Sequence, residues 1–316
     1  FPPPCRLAVS QSASSAVVSG AIFQSHTTDG EHFLNGGPVL CPAQDIGVIP
    51  GSDDFALLAQ CTKGQGVYRS SDGGATYAAV TIPETLLNAT YEIVRYGAFP
   101  SATTWYVTAG TFPNTNSARR RDNEQRQRRR VTHRLTVGAD HFEFNADHAA
   151  APQDGPVDCS ADPMNCFSAA IVKTTDAGKT WTKVYENINT GDNIYANGIH
   201  CASEDHCVAV VEGDTSRILL TRDGGKTWKE ARHDDDKASS LVAVRMLDEK
   251  EGWVSGGEMS NAFEGRFWHT LDGGDTWVKE AIKGLYTFSF DMVSSGFVSG
   301  PEGGLPAFLG GGCCWR

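Results

Sequence analysis

The sequence predicts an all-β fold: a single β-propeller of about seven four-stranded blades that occupies residues 1–316 as one domain. The composition supports this, because 34 glycines and 14 prolines among short apolar runs are typical of many short strands joined by tight turns. An eight-residue motif also recurs with the period of one propeller blade. Nine cysteines, several of them close together, predict that disulfides staple the fold.

The recurring motif ends in an aromatic residue each time. Its copies are SSDGGATY at 70–77, TTDAGKTW at 174–181, TRDGGKTW at 221–228 and TLDGGDTW at 270–277. The central aspartates of the last three copies are 47 and 49 residues apart, whereas Asp72 and Asp176 are 104 residues apart. Because that interval is about twice the period, we expect one further unit within it.

The motif resembles the Asp-box, or BNR repeat, of sialidases, sortilin-like receptors and the photosystem II stability/assembly factor family. The chain is most similar to the assembly-factor and sortilin-like propellers. The resemblance implies that each box is a turn between the third and fourth strands of a blade, away from the ligand-binding face. Its residues are therefore expected to be structural: Asp72, Asp176, Asp223, Asp272, Trp181, Trp228 and Trp277.

Further units are less regular. A degenerate first box is expected at residues 28–33 and a decayed copy within 136–142. The tripeptide Val-Ser-Gly at 18–20, 254–256 and 298–300, with a looser version at 107–110, is interpreted as part of second strands. Residues 284–316 supply strands without a box, which brings the expected count to about seven blades.

The cysteines are expected to form disulfides, because the chain has no Cys-x2-Cys pair that would suggest a zinc site. No metal ligands are predicted. Two close pairs are expected to join first and second strands. A propeller also needs its ring closed, which predicts a disulfide near the chain ends. The predicted pairs are Cys159–Cys166, Cys201–Cys207, Cys41–Cys61 and Cys5 with either Cys313 or Cys314.

These features together predict a secreted, extracellular protein, with an organelle lumen as the alternative. We expect a signal peptide to have been removed before Phe1 and a glycan on Asn88, within the sequon Asn88-Ala89-Thr90. No apolar stretch is long enough to span a membrane. The net charge of −11 opposes nucleic-acid binding by the body of the protein. We expect a monomer.

A strongly basic insertion is predicted at about residues 113–131, as a disordered loop between the second and third strands of a blade. Three interpretations stay open. The loop is a tolerated insertion without a function, a furin-type processing site with cleavage at Arg129 or Arg130, or a segment that binds an acidic partner. The arginines concerned are Arg119, Arg120, Arg121, Arg126, Arg128, Arg129 and Arg130.

An acidic segment at 233–237 lies between two blades and should share a face with the basic insertion. Its aspartates, Asp234, Asp235 and Asp236, are candidate binding residues. They could hold Ca²⁺, whereas a solvated turn is the simpler interpretation. No cofactor is otherwise predicted.

No catalytic residues are predicted. A sialidase usually carries an arginine in an Arg-Ile-Pro context, and the nearest segment here, 47–50, has none. The predicted function is therefore non-enzymatic binding of a protein or peptide through the funnel face of the propeller. The alternatives are carbohydrate recognition, as a lectin or diverged glycoside hydrolase, and a photosystem assembly-type scaffold.

Overall fold

The protein is described here by a computed structural model. It covers residues 6–10, 15–19, 24–35, 43–59, 66–88, 92–111, 133–137, 140–144, 159–161, 166–188, 194–213, 216–232, 239–258, 264–282, 289–292 and 296–299. The regular structure of these residues is β-strand. No helix in this part of the chain has the length and hydropathy of a membrane span.

Five four-stranded antiparallel sheets form the blades. Blade 1 contains β1 (Arg6–Val9), β2 (Ala16–Ser19), β3 (Gln24–Thr27) and β4 (Leu34–Asn35). Blade 2 contains β5 (Ala43–Ile49), β6 (Asp54–Ala59), β7 (Gly66–Ser70) and β8 (Ala78–Val80). Blade 3 begins with β9 (Val94–Ala98) and β10 (Trp105–Thr111), and a separate hairpin of β11 (His133–Val137) and β12 (Asp140–Phe144) precedes its last strands, β13 (Ser168–Thr174) and β14 (Thr182–Ile188).

The remaining strands follow in chain order. Blade 4 contains β15 (Ile194–Cys201), β16 (Cys207–Gly213), β17 (Arg217–Thr221) and β18 (Lys229–Arg232). Blade 5 contains β19 (Ser239–Met246), β20 (Gly252–Glu258), β21 (Glu264–Thr270) and β22 (Val278–Ile282). A two-stranded sheet of β23 (Ser289–Met292) and β24 (Gly296–Ser299) comes last. The all-β propeller fold is thus confirmed, while a total of seven blades stays a prediction.

Apolar side chains between neighbouring sheets form the core. One cluster joins blades 1 and 2 around Val17 and Phe55, and another joins blades 2 and 3 around Leu58 and Trp105. Two more clusters fill the seams between blades 3 and 4 and between blades 4 and 5. Strands such as β6, which reads Asp-Phe-Ala-Leu-Leu-Ala, are buried throughout, because blades cover both of their faces.

The Val-Ser-Gly segments lie where they were expected. The strands β2, β10, β20 and β24, which contain them or end at them, are each the second strand of their sheet. The first strands contact one another from blade to blade, β1 with β5, β5 with β9, β9 with β15 and β15 with β19. First strands therefore surround the propeller axis.

The expected unit between Asp72 and Asp176 is not a blade. Strand β10 pairs directly with β13, residue for residue from Trp105↔Thr174 to Thr111↔Ser168. The long interval therefore holds one blade whose second and third strands are separated by an insertion. The decayed copy at 136–142 falls in the hairpin β11–β12, which pairs only with itself among the described strands.

Two of the predicted disulfides lie within the described residues, and both are present. Cys201–Cys207 joins the end of β15 to the start of β16, as expected for a staple between first and second strands. Cys159–Cys166 is also formed, but it lies just before β13, at the end of the insertion, so its expected position between first and second strands is wrong. The cysteines of the other predicted pairs lie outside the described residues.

Candidate functional site

The Asp-boxes are self-contained hydrogen-bonded turns between third and fourth strands. In blade 4, the hydroxyl of Thr221 donates to Oδ1 of Asp223 at 2.9 Å, and Gly225 N–H donates back to that hydroxyl at 2.8 Å. The backbone N–H and the hydroxyl of Thr227 donate to the two carboxylate oxygens of Asp223 at 2.9 and 2.7 Å. These bonds hold the pKa of Asp223 down at about 2. The carboxylate is thus committed to the turn.

The same pattern recurs in the boxes of Asp72, Asp176 and Asp272. The expected first box is present in a form one residue shorter, in which Gly30 N–H donates to Thr27 Oγ1 at 2.9 Å and His32 N–H donates to Asp29 Oδ1 at 2.8 Å. Trp181 is buried, whereas Trp228 and Trp277 are half-buried against the preceding blade. These hydrogen bonds and packing contacts hold the box residues in their turns.

The boxes of Asp176, Asp223 and Asp272 also bond to the turn between the first and second strands of their own blade. Gly224 N–H donates to Asp205 O at 3.0 Å, and Ala177 N–H donates to Thr103 O at 2.9 Å. We call this end of the blades the box face. Because strands alternate in direction, the connections from second to third strand and from blade to blade lie at the other end, the opposite face.

A polar and aromatic cluster lies toward the opposite-face ends of the central strands. We call Arg95, Tyr195, Asn197, Glu212 and Ser240 the inner-rim cluster; they come from blades 3, 4 and 5. Asn197 is its centre. Its amide nitrogen donates to Glu212 Oε2 at 2.6 Å and to Leu241 O at 2.8 Å, while its oxygen accepts from Arg95 Nη2 at 3.3 Å.

The charged members of the cluster are closely surrounded. Glu212 also accepts hydrogen bonds from the hydroxyls of Tyr195, at 2.9 Å, and of Ser240. Burial raises the pKa of Glu212, although these donors and the charge of Arg95 oppose the shift. The guanidinium carbon of Arg95 lies 5.2 Å from the ring centroid of Tyr195 and 5.6 Å from that of Tyr96, within cation–π range. Arg95 and Asn197 are buried, whereas Tyr195 and Glu212 are half-buried.

A repeated backbone irregularity positions these side chains. The pairing of first and second strands shifts register near the opposite face in four blades, between Ala43 and Asp45, between Val107 and Ala109, between Ala196 and Gly198, and between Leu241 and Ala243. Asn197 is the extra residue of its bulge. Bulges of this kind redirect side chains and are frequent beside functional sites.

The predicted binding residues lie outside the described part of the chain, as do Arg129 and Arg130 of the processing prediction. The described strands that flank them are informative. The arginines fall between β10 and β13, a connection from second to third strand, and Asp234, Asp235 and Asp236 fall between β18 and β19, a connection between blades. Both connections therefore start and end at the opposite face, where the inner-rim cluster lies.

One other predicted feature can be placed. Asn88, the expected glycosylation site, is exposed, and its backbone N–H donates to Glu92 Oε2 at 2.8 Å. The described residues hold no group of three or more His, Cys, Asp or Glu side chains able to bind a metal ion.

Sequence reasoning missed the inner-rim cluster. One signal was present, since Asn197-Gly198 inside a run of strand-forming residues suggests a bulge. The contact between Arg95 and Asn197 joins positions 102 residues apart, however, and only the packing of three blades brings them together.

The fold and its turns define an Asp-box β-propeller. Residues 169–296, which contain the boxes of Asp176, Asp223 and Asp272, match the family model described as Sortilin, neurotensin receptor 3 (Sortilin-Vps10). No curated protein sequence is significantly similar to the chain.

Solved propellers share the fold at low sequence identity. YCF48 bound to D1 peptide has a TM-score of 0.53 and 15% identity, over 94% of this chain and 74% of that chain. The GH74 enzyme of Niastella koreensis has a TM-score of 0.53 and 14% identity, over 87% of this chain and 38% of that one. The GH74 xyloglucanase of Xanthomonas campestris has a TM-score of 0.54 and 12% identity, over 86% and 37%. The chain spans less than half the length of these two enzymes.

Proposed function

We propose that the protein is a secreted, non-enzymatic binding protein that recognises a protein or peptide partner through the opposite face of the propeller, its funnel face. The inner-rim cluster is the observation that carries this proposal. It gathers an arginine, a tyrosine and hydrogen-bonding groups at the ends of central strands from three blades. Residues of these types dominate the energetics of protein interfaces when they lie near the centre of a contact.

The accessible part of the cluster suits contact with a peptide. Tyr195 and Glu212 are half-buried and give the cluster its exposed surface. Asn197 and Ser240 donate hydrogen bonds to Glu212, which also accepts one from the hydroxyl of Tyr195. A ring and a carboxylate fixed in this way lose little side-chain freedom when a ligand binds, which favours affinity.

The same geometry argues against glycoside hydrolysis. That reaction needs two carboxyl groups that share the roles of acid and base or nucleophile. The inner-rim cluster contains one carboxylate, and both oxygens of Glu212 accept hydrogen bonds from protein donors. Carbohydrate recognition without hydrolysis, and a photosystem assembly-type scaffold, are the alternatives that an experiment has to separate from peptide binding.

The relatives support the choice of a peptide ligand. One similar propeller is YCF48 in complex with a D1 peptide, and the matching family model carries the name of the neurotensin receptor 3. The disulfides Cys159–Cys166 and Cys201–Cys207 are consistent with an extracellular or lumenal location. We propose that the arginines at 119–130 and the aspartates at 234–236 add charged contacts around the cluster.

Selection from a displayed library of random peptides on the purified full chain tests this function. Enriched peptides should lose at least tenfold in affinity for Tyr195→Phe, which keeps the ring and removes only the hydroxyl bonded to Glu212. A Thr227→Ala variant on the box face is the matched control and should bind as the wild type does.

Replacement of the four arginines at 126 and 128–130 by glutamine tests the basic segment separately. Peptides that lose affinity for the Thr227→Ala variant and not for Tyr195→Phe would place the site on the box face and contradict the proposal. Enrichment of no peptide, together with specific binding on a glycan array, would favour the carbohydrate alternative.

A further inference from the structure

The turn between the first and second strands of blade 4 is closed at its base by a disulfide. Cys201 and Cys207 are the last paired residues of β15 and β16, and the bridge between them encloses the turn 202–206. Within the turn, Ala202 N–H donates to His206 O at 2.9 Å. A covalent bond and a hydrogen bond therefore hold the backbone of this turn in place.

Residues 204–206 of this turn each bond to a different blade. Glu204 O accepts a hydrogen bond from the hydroxyl of Tyr106, in the second strand of blade 3, at 2.7 Å. Burial raises the pKa of Tyr106, so its hydroxyl stays a donor over the ordinary pH range. Asp205 O accepts a hydrogen bond from Gly224 N–H, in the box of blade 4, at 3.0 Å.

The third contact crosses to blade 5. His206 Nε2 lies 2.9 Å from Gly273 O, in the box of that blade, and the ring nitrogen is the donor because a carbonyl oxygen only accepts. His206 is buried. The guanidinium of Arg222, also in blade 4, donates to the same oxygen at 3.1 Å. Two side chains of blade 4 thus hold the box of blade 5.

Strands β15 and β16 connect this turn to the inner-rim cluster. Asn197 lies four residues before Cys201 on β15, and Glu212 lies five residues after Cys207 on β16. At the rise of a β-strand, these intervals are about 13 Å and about 17 Å long. The blades that the turn joins at the box face are the same three blades whose side chains meet in the cluster. Blades 3, 4 and 5 are therefore tied together at both faces.

The inner-rim cluster depends on the relative positions of these blades. Arg95 Nη2 of blade 3 and Leu241 O of blade 5 lie 3.3 and 2.8 Å from the side-chain amide of Asn197. A displacement of about 1 Å would break either contact, because a separation beyond about 3.5 Å is no longer a hydrogen bond. The apolar seams hold the blades together but are not directional. The hydrogen bonds of the turn supply a direction.

We propose that residues 204–206 are positioning residues for the inner-rim cluster. Held by the Cys201–Cys207 disulfide, they fix blades 3 and 5 relative to blade 4 and so maintain the arrangement of side chains at the opposite face. They act through the strands and not by contact with a ligand. The effect on affinity rests on the proposed binding function, whereas the loosening of the cluster can be measured without a ligand.

Hydrogen–deuterium exchange of the full chain tests the positioning role directly. His206→Ala removes the donor to Gly273 O, and the amides of residues 239–246 in blade 5 should then exchange roughly fivefold faster. His206→Gln is the matched control, because its side-chain amide can donate to the same oxygen, and it should restore most of the protection. Residues 70–77, the box of blade 2, are the internal reference and should exchange as in the wild type.

Further variants release the other ties. Tyr106→Phe frees Glu204 O alone and should speed exchange in residues 94–98 of blade 3, which include Arg95. The double change of Cys201 and Cys207 to alanine should produce both effects, so a failure of one variant to fold leaves the others to decide. Ser203→Ala, in the same turn, removes none of the three contacts and should match the wild type.

Affinity for a peptide selected on the wild-type chain tests the link to binding. His206→Ala should bind about threefold more weakly or worse, through faster dissociation, and His206→Gln should bind nearly as the wild type does. A loss of global stability alone would leave the affinity of the folded chain unchanged.

Faster exchange confined to residues 201–207, or equally fast in residues 70–77, would overturn the positioning role. Loosened strands with unchanged affinity would overturn the link to binding and leave the proposed function intact, because that function is tested by Tyr195→Phe. If the wild-type chain captures no peptide, the proposed function fails, and the exchange in residues 94–98 and 239–246 decides the positioning role by itself.

Discussion

The side-chain nitrogen of Asn197 lies 2.6 Å from Oε2 of Glu212, and the same amide group reaches Leu241 O of blade 5 and Arg95 of blade 3. A single residue of a central strand thus connects three blades. Asn197 is the extra residue of the bulge in β15, so the bulge is what directs its side chain toward the neighbouring blades.

Replacement of Asn197 by alanine should destabilise the protein. It removes the hydrogen bonds that the buried Asn197 amide makes with Arg95, Glu212 and Leu241 O, which costs about 3 kcal/mol of unfolding free energy. Urea unfolding followed by tryptophan fluorescence measures the loss. Asn35→Ala, at an exposed position of β4, is the control and should change the free energy by less than about 0.5 kcal/mol. Equal effects of the two changes would contradict the role given to Asn197.

The Asp-boxes should make the fold sensitive to acid. The pKa of Asp223 is lowered to about 2, mainly by the backbone and side-chain hydrogen bonds of Thr227. The ionised carboxylate therefore stabilises the fold at any pH above the pKa of an aspartate in the unfolded chain. This stabilisation is lost as the pH falls from about 4 to 2. The urea midpoint of wild type should therefore fall more steeply over this range than that of Asp223→Asn. Glu84→Gln, at an exposed surface position, should leave the slope unchanged. Parallel curves for wild type and Asp223→Asn would contradict the prediction.

Glu212 should change the stability of the fold with pH in the opposite direction to Asp223. Burial raises its pKa, so the stability linked to its protonated form is present at low pH and is lost as the pH rises through the raised value. Relative to wild type, the Glu212→Gln variant should therefore become more stable as the pH rises above the ordinary titration range of a glutamate. Tyr195→Phe, which removes one donor to Glu212, should strengthen the pH dependence of the wild-type chain. A difference that does not vary with pH would show that Glu212 stays ionised throughout.

One box position carries conformational strain. Ala177 has a φ of 58°, where the corresponding residues Gly73, Gly224 and Gly273 have φ values of 70°, 73° and 74°. Relief of this strain outweighs the greater freedom of glycine in the unfolded chain, so Ala177→Gly should stabilise the protein by about 0.5–1 kcal/mol. Ala75→Gly, in another box but without a positive φ, should destabilise it by about 0.5 kcal/mol. Thermal unfolding compares the two, and a shift of the same sign in both would refute the argument.

Removal of the Cys201–Cys207 disulfide should weaken blade 4 without changing the fold. The bridge closes a short loop between β15 and β16, so the double change to alanine should cost about 2 kcal/mol. Urea unfolding measures this cost. Intact mass after alkylation under denaturing conditions, with and without reduction, verifies that the bridge is formed in the wild-type chain. Alkylation of these cysteines in the unreduced wild-type protein would contradict the assignment.

Much of the architecture follows from local patterns. The hydrogen bonds of the box turns join residues at most four positions apart, so the sequence indicates these turns directly, and the bonds around Asp176 and Asp272 confirm them. The second strands and the Cys201–Cys207 bridge are local in the same sense. Where the distance along the chain is short, sequence and geometry carry the same information.

Two features could not be predicted because they depend on distant parts of the chain. The interval between Asp72 and Asp176 is twice the period, and length alone does not distinguish a missing blade from an insertion between paired strands. The inner-rim cluster needs side chains from three blades, and its members have no shared motif. Only the pairing of β10 with β13 and the packing of β9, β15 and β19 resolve these questions.

The pairing of β10 with β13 also bears on how the protein can be rebuilt. Thr111 and Ser168 stand 57 positions apart in the chain and yet are direct partners at the end of a continuous seven-pair ladder. The register is set by the two strands and not by what separates them. An affinity tag or a whole foreign domain should therefore replace residues 112–158, ahead of the buried Cys159–Cys166 disulfide, without disturbing the sheet. The same junction is a natural place to divide the gene into two halves whose products assemble into one ring.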